Sequence, residues 1–305
     1  MKTKKKIMCG FLAIMLLAVV FPVYSRDIFV VGSDSNWRPV LWVNGGAAQR
    51  LSNEPSGVRS VFVSGNTVFA AGYMGPPNER ATLWVNGVPQ ALSNQDSAAH
   101  SVHVSGNDVF VAGVVGQGNN RRATLWVNGV PQTLSNVPSN ANSVFVSGRD
   151  VYVAGNTGDG NNLRAALWRN GVLQTLSNVQ STARSVFVSG RDVYVAGEVG
   201  QGLQSNAVLW VNGAPQILSI GQSIIGSGTA SDVHVAGGVH GFWTNGAHQG
   251  LGGMNSSRGV MVFGQDVYVL GSHLEAGVWR PAIFRNGVLY TVIDGMRSAS
   301  AFFIR

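Results

Sequence analysis

Arginine is the residue type in this chain whose spacing could do chemistry. Arg38, Arg80, Arg122, Arg164 and Arg280 each stand four residues ahead of a large aromatic: Trp42, Trp84, Trp126, Trp168 and Phe284. Arg59, Arg184, Arg258 and Arg297 form a second series, each just before a short apolar stretch such as SVFVS, with His100 and Asn142 filling the same slot. A guanidinium presents a rigid planar fork of donors that grips carboxylate, sulfate or phosphate through two parallel hydrogen bonds. Brought together, these side chains would form a cationic mouth for an anionic glycan or an acidic peptide. The competing reading is a set of solvated strand ends, or ion pairs with Glu79, Asp159 and Glu198 in neighbouring segments.

Other chemistries are less well supplied. Glu79, Glu198 and Glu275 could act as acid and base in a glycan-active hydrolase or lyase. No G-x-S-x-G elbow, phosphate loop, H-E-x-x-H or sialidase-type S-x-D-x-G-x-T-W box occurs. His234, His240, His248 and His273 fall on a strand, a loop, another strand and a different repeat's loop, so no metal site is expected, and no cofactor. His234 and His103 stand where other repeats carry Tyr and Phe, as filler. Trp42, Trp84, Trp126, Trp168, Trp210 and Trp243, with Phe284, could stack on sugars. Their fixed place in every repeat favours packing between neighbouring units.

The elements that position these residues come from repetition. SVFVSGRDVYVAG occurs at 143–155 and again, unchanged, at 185–197, forty-two positions on. Asn-Gly recurs at Asn44, Asn86, Asn128, Asn170, Asn212, Asn245 and Asn286, each after an apolar run, and is a strong hairpin signal because type I′ turns need positive φ at both central residues. A second series starts at Asp27, Thr67, Asp108, Asp150, Asp192, Asp232 and Asp266, in the pattern DVYVAG. Its aspartates are expected to accept local backbone hydrogen bonds. SVFVS-like segments lead the unit, and the terminal SASAFFIR echoes them.

One repeat of about 42 residues thus reads as four short antiparallel strands, seven times over. The 40 glycines and the 11% of charged residues suit turns better than helices. The fold class is all-β, a seven-bladed β-propeller spanning 26–305 and closed by the C-terminal strand completing the first blade. In such a meander strands one and three run the same way, so both arginine series start on one face.

The order Arg184-Ser185-Val186, then Asp192-Val193-Tyr194-Val195-Ala196-Gly197, then Leu209-Trp210 resembles a kelch-type propeller blade. Gly237-Gly238 matches that family's double glycine, and the other units carry Ala-Gly or similar. The resemblance implies a binding platform, with enzymes as occasional members.

Residues 1–25 read as a signal peptide: Lys2, Lys4, Lys5 and Lys6, an apolar run from Ile7 to Phe21, then Val23 and Ser25 as small residues before a cut ahead of Arg26. Cys9, the only cysteine, lies ahead of the apolar run, so the mature chain is expected to hold no disulfide. All four lysines leave with the segment, which lowers the net charge from +7 to about +3, with 17 Arg against 14 acidic residues. That is too mild to argue for nucleic acid as a partner. The expectation is an exported protein (periplasmic, surface or extracellular), monomeric, without a membrane span in the mature chain. It is expected to bind an anionic glycan or a protein or peptide ligand; a glycan-active enzyme and a purely structural surface repeat are the alternatives.

Overall fold

The computed structural model describes residues 26–75, 78–200, 205–220, 223–228, 232–237, 241–251 and 254–305. The leader segment, Cys9, Gly238 and His240 lie outside them. The described residues form seven four-stranded antiparallel sheets in a ring, the seven blades, with no α-helix. The strand nearest the axis is Ser298–Ile304, Ser56–Ser64, Ser97–Ser105, Ser139–Ser147, Ser181–Ser189, Ser223–Gly228 and Met254–Phe263 in blades one to seven. Each of these inner strands touches those of the adjacent blades.

The third and fourth strands of every blade are joined by Asn-Gly. The seven asparagines have φ between 48° and 52° and the glycines between 77° and 87°, the type I′ signature expected from sequence. Each turn also fastens down the second strand. Asn170 Oδ1 accepts from Val151 N at 2.9 Å while its Nδ2 donates to Asp150 Oδ1 at 2.7 Å. The same pair of bonds recurs at Asn44, Asn128, Asn212, Asn245 and Asn286. The aspartates that head the second strands therefore serve the turn asparagine's amide rather than a backbone N–H. A side-chain donor at the end of the neighbouring strand, about 20 residues on, is not visible in local sequence.

Every inner strand carries a β-bulge at one register position. In blade five Ala183 pairs with Gly197 and Ser185 with Ala196, leaving Arg184 extra. The equivalents are Ser300, Arg59, His100, Asn142, Ile224 and Arg258. The bulge explains the glycine that closes DVYVAG. A Cβ at Gly155 would sit 1.9 Å from Asn140 O, because the bulged strand presses its backbone against that position.

Large aromatics wedge the blades together. Trp84, Trp126, Trp168 and Trp210 are wholly buried. Each packs into a cluster with the preceding blade, as Trp168 does with Phe110 and Leu125. Trp126 Nε1 also donates to Leu92 O of blade two at 2.9 Å. The indoles are thus buried between blades and offer no face to a sugar. Trp42 packs against Tyr268, Leu270 and Ile283 of blade seven, so the ring is sealed through its core. It is sealed through the sheet as well: Ser298–Ile304 pairs with Ile28–Ser33, and Asp27 and Arg305 exchange backbone hydrogen bonds at 3.1 Å.

Candidate functional site

The bulges lie toward the upper end of the axis, the end opposite the tight turns between first and second strands. There Arg59, His100, Asn142, Arg184 and Arg258 line the mouth of a cavity of about 320 Å³, whose lining among the described residues comes from the inner strands of blades one to five and seven. The structure therefore brings together five of the six residues assigned to the inner series. Arg297 is the exception. Register puts Ser300 in the bulge of blade one, and Arg297 lies three residues earlier, with its guanidinium 4.1 Å from the ring centre of Trp37. The terminal strand's departure from the SVFVS pattern hid the correct alignment.

The outer series begins the third strands at the same end. Arg80, Arg122 and Arg164 pair with Met74, Val115 and Thr157, which also pair with the inner-strand residues Ser56, Ser97 and Ser139. Arg38 immediately precedes the third strand of blade one, and Arg280 lies within a longer third strand in blade seven. Both series share one face, the outer lying two strands farther from the axis.

Ion pairs occur at both ends of the ring. At the lower end Arg285 meets Asp266 at 2.7 Å, Arg169 meets Asp150 at 2.6 Å and Arg305 meets Asp27 at 3.0 Å, with Arg26 also on Asp266, while Arg149 and Arg191 in the tight turns are in no ion pair among the described residues; at the upper end Arg50 meets Asp34 at 3.1 Å. At the mouth, among the described residues, only Arg184 is in an ion pair, with Glu198. Of the ion pairs weighed from sequence, Glu198 forms one. Glu79 and Asp159 are in no ion pair resolved among the described residues, and Arg280 instead meets Glu275 at 3.4 Å and Asp294 at 3.1 Å. Arg59 lies over the Tyr73 ring at 5.1 Å.

His100 and Asn142 join blades. His100 Nδ1 lies 2.9 Å from Ala141 O, and Asn142 Nδ2 donates to Ala183 O at 2.8 Å. Burial, with Arg59 and Arg121 close by, pushes the His100 imidazole down to about 4, so it adds no charge to the mouth at neutral pH. Serines one residue on cap the inner strands' free edge: Ser60, Ser101 and Ser143 accept from Val102, Val144 and Val186 N at 3.1–3.2 Å.

Below the mouth the cavity becomes apolar, which the sequence reading did not anticipate. Phe303, Phe62, His103 and Phe145 follow one another around the wall with ring centres 4.8–4.9 Å apart, and Phe187 and Met261 line the same level. The signal was present as the central aromatic of SVFVS in successive repeats. His103 stands in that series with its imidazole pushed down to about 4 by burial, so the collar is uncharged at neutral pH.

The carboxylates considered as acid and base sit on different blades, Glu79 on two, Glu198 on five and Glu275 on seven. Among the described residues no cluster of His, Cys, Asp and Glu could hold a metal ion. His234 is buried, with Nδ1 3.0 Å from Thr244 Oγ1. His273 lies within a strand, Asp266–Glu275, rather than in a loop.

Fold and site together define a seven-bladed β-propeller with an arginine-bearing axial mouth. No protein-family profile matches the chain, and no curated protein sequence does. Solved structures share the fold. The computationally designed Ika8 protein is 16% identical over 90% of this chain and 86% of its own, with a TM-score of 0.51. The acylaminoacyl peptidase of Pyrococcus horikoshii is 9% identical over 88% of this chain, which spans 50% of the peptidase, with a TM-score of 0.52. TolB from Acinetobacter baumannii is 10% identical over 92% and 67% of the two chains, with a TM-score of 0.49. At such identities the likeness bears on fold alone.

Proposed function

We propose that this protein is an exported binding module that holds an anionic glycan or acidic peptide at the arginine mouth. The kelch-like reading of the repeat and the leader read at residues 1–25 belong to the same proposal. The observation that carries it is convergence: Arg59 and Arg258 line the axial cavity, and among the described residues neither is in an ion pair with a carboxylate. A surface that needed arginine only for solubility or strand ends has no use for guanidinium groups converging on a cavity.

The test is titration of residues 26–305 with polygalacturonate and polyglutamate at two salt concentrations. Exposed charge pairs weaken as the screening length falls from about 10 Å at 0.1 M salt toward 3 Å at 1 M. Binding should weaken with salt, and Arg59→Ala with Arg258→Ala should lower it at least about ten-fold, while Tm barely moves because solvated arginines contribute little to folding. Loss of Tm with no polyanion bound by the unaltered protein would sink the proposal.

A further inference from the structure

We infer that the axial cavity takes a carboxylate carried on an apolar tail, the head at Arg59 and Arg258 and the tail within the aromatic collar. This rests on the mouth being an anion site and goes beyond it by naming the ligand chemistry. The charge is unevenly spread. Arg258 of blade seven and Arg59 of blade two occupy the bulges on either side of blade one, whose own bulge holds the uncharged Ser300, so the two cations stand on the same side of the mouth. Across the axis His100 and Asn142 are committed to neighbouring carbonyls, and Arg184 to Glu198.

Directly beneath the two cations lie Phe303, Phe62 and Met261. Head and collar are three residues apart on each inner strand, on the order of 10 Å at the usual strand rise. That matches an alkyl or aryl-alkyl chain of moderate length. At the step between the two levels, blades seven and one carry Gly259 and Ala301, which offer a polar tail no side-chain partner. A cavity of about 320 Å³ with a charged rim and an apolar floor fits an amphiphilic acid better than a hydrated sugar chain entering end-on.

Calorimetric titration of residues 26–305 with butyrate, hexanoate and octanoate tests this, alongside a short peptide ending in Phe with a free or an amidated C-terminus. Affinity should rise about four-fold for each CH₂ added, the factor that corresponds to about 0.8 kcal/mol per buried methylene. Amidation should abolish peptide binding, and comparison of the acid and peptide arms distinguishes a free acid from a chain terminus as the source. Phe62→Ala should flatten the chain-length dependence while leaving polygalacturonate binding intact. The chain-length series on the unaltered protein decides the matter should that variant not fold. Polyanion binding without octanoate or peptide binding, or acid binding indifferent to chain length, overturns this inference and leaves the mouth standing. If no anion binds at all, the mouth falls and this inference with it.

Discussion

Single ionisable side chains set the acid limit of this ring. His100 and His103 are held near 4 against an ordinary 6.5 because burial resists the imidazolium. Below pH 6.5 the unfolded chain takes up protons that the folded rings refuse, so stability falls as pH drops from 6.5 to about 4 and then levels off. His103→Phe matches its neighbours Phe62 and Phe145 and should remove part of that slope, on the order of 2 kcal/mol by pH 4. Urea unfolding at pH 7, 5.5 and 4.5 measures it; equal slopes in both proteins would refute the burial of a neutral ring. Asp266 behaves oppositely in charge. Hydrogen bonds from Arg285 and Asn286, with Arg26 behind them, hold its carboxyl at about 2. Its contribution is complete above pH 3.8 and disappears as pH falls through about 2. Asp266→Asn should therefore destabilise at pH 7 and make acid unfolding between pH 4 and 2 shallower.

At the level of the strand, the bulge and its facing glycine form one device. Gly155→Ala should cost about 2–4 kcal/mol, because the new methyl meets Asn140 O and the backbone of Ala141 and the bulged strand must move. Gly129→Val acts differently: nothing lies near a Cβ there, but φ is 81°, so strain alone should cost about 1–3 kcal/mol. Gly129→Ala and Gly155→Ala compared by thermal melting separate the two causes, and equal losses would contradict the steric account. This device marks how far the sequence could be read. Asn-Gly turns, strand order and wedge aromatics follow from local chemistry and were legible. The bulge was not, since Ala183, Arg184 and Ser185 look like continuous alternation until register across two strands is known. Missing it placed Arg297 in a slot that belongs to Ser300, and left the collar's phenylalanines unremarked although the pattern SVFVS displayed them.

As a whole molecule the ring depends on its last strand. Without Ser298–Arg305, the strand Ile28–Ser33 would lose its partner and expose a free edge, and Trp42 would lose Phe302 and Ile304 from its cluster. Truncation there should lower Tm sharply or cause aggregation, readable by light scattering during a melt; a truncated chain melting like the full one would argue that blade one holds without it. The sevenfold count was legible because each repeat spells out its own turns; the axial cavity was less so, because its lining comes from residues on separate blades meeting in space. The same clasp gives the disc a front and a back. Asp27 and Arg305 sit side by side on the face of the tight turns, whereas the bulge at Ser300 lies toward the mouth, five residues up the strand and roughly 16 Å away at the usual rise. Any tether, tag or neighbouring domain joined at either end of the folded unit must leave from the back, so a ring fixed to a support by its termini presents the axial mouth, with Arg59 and Arg258, outward.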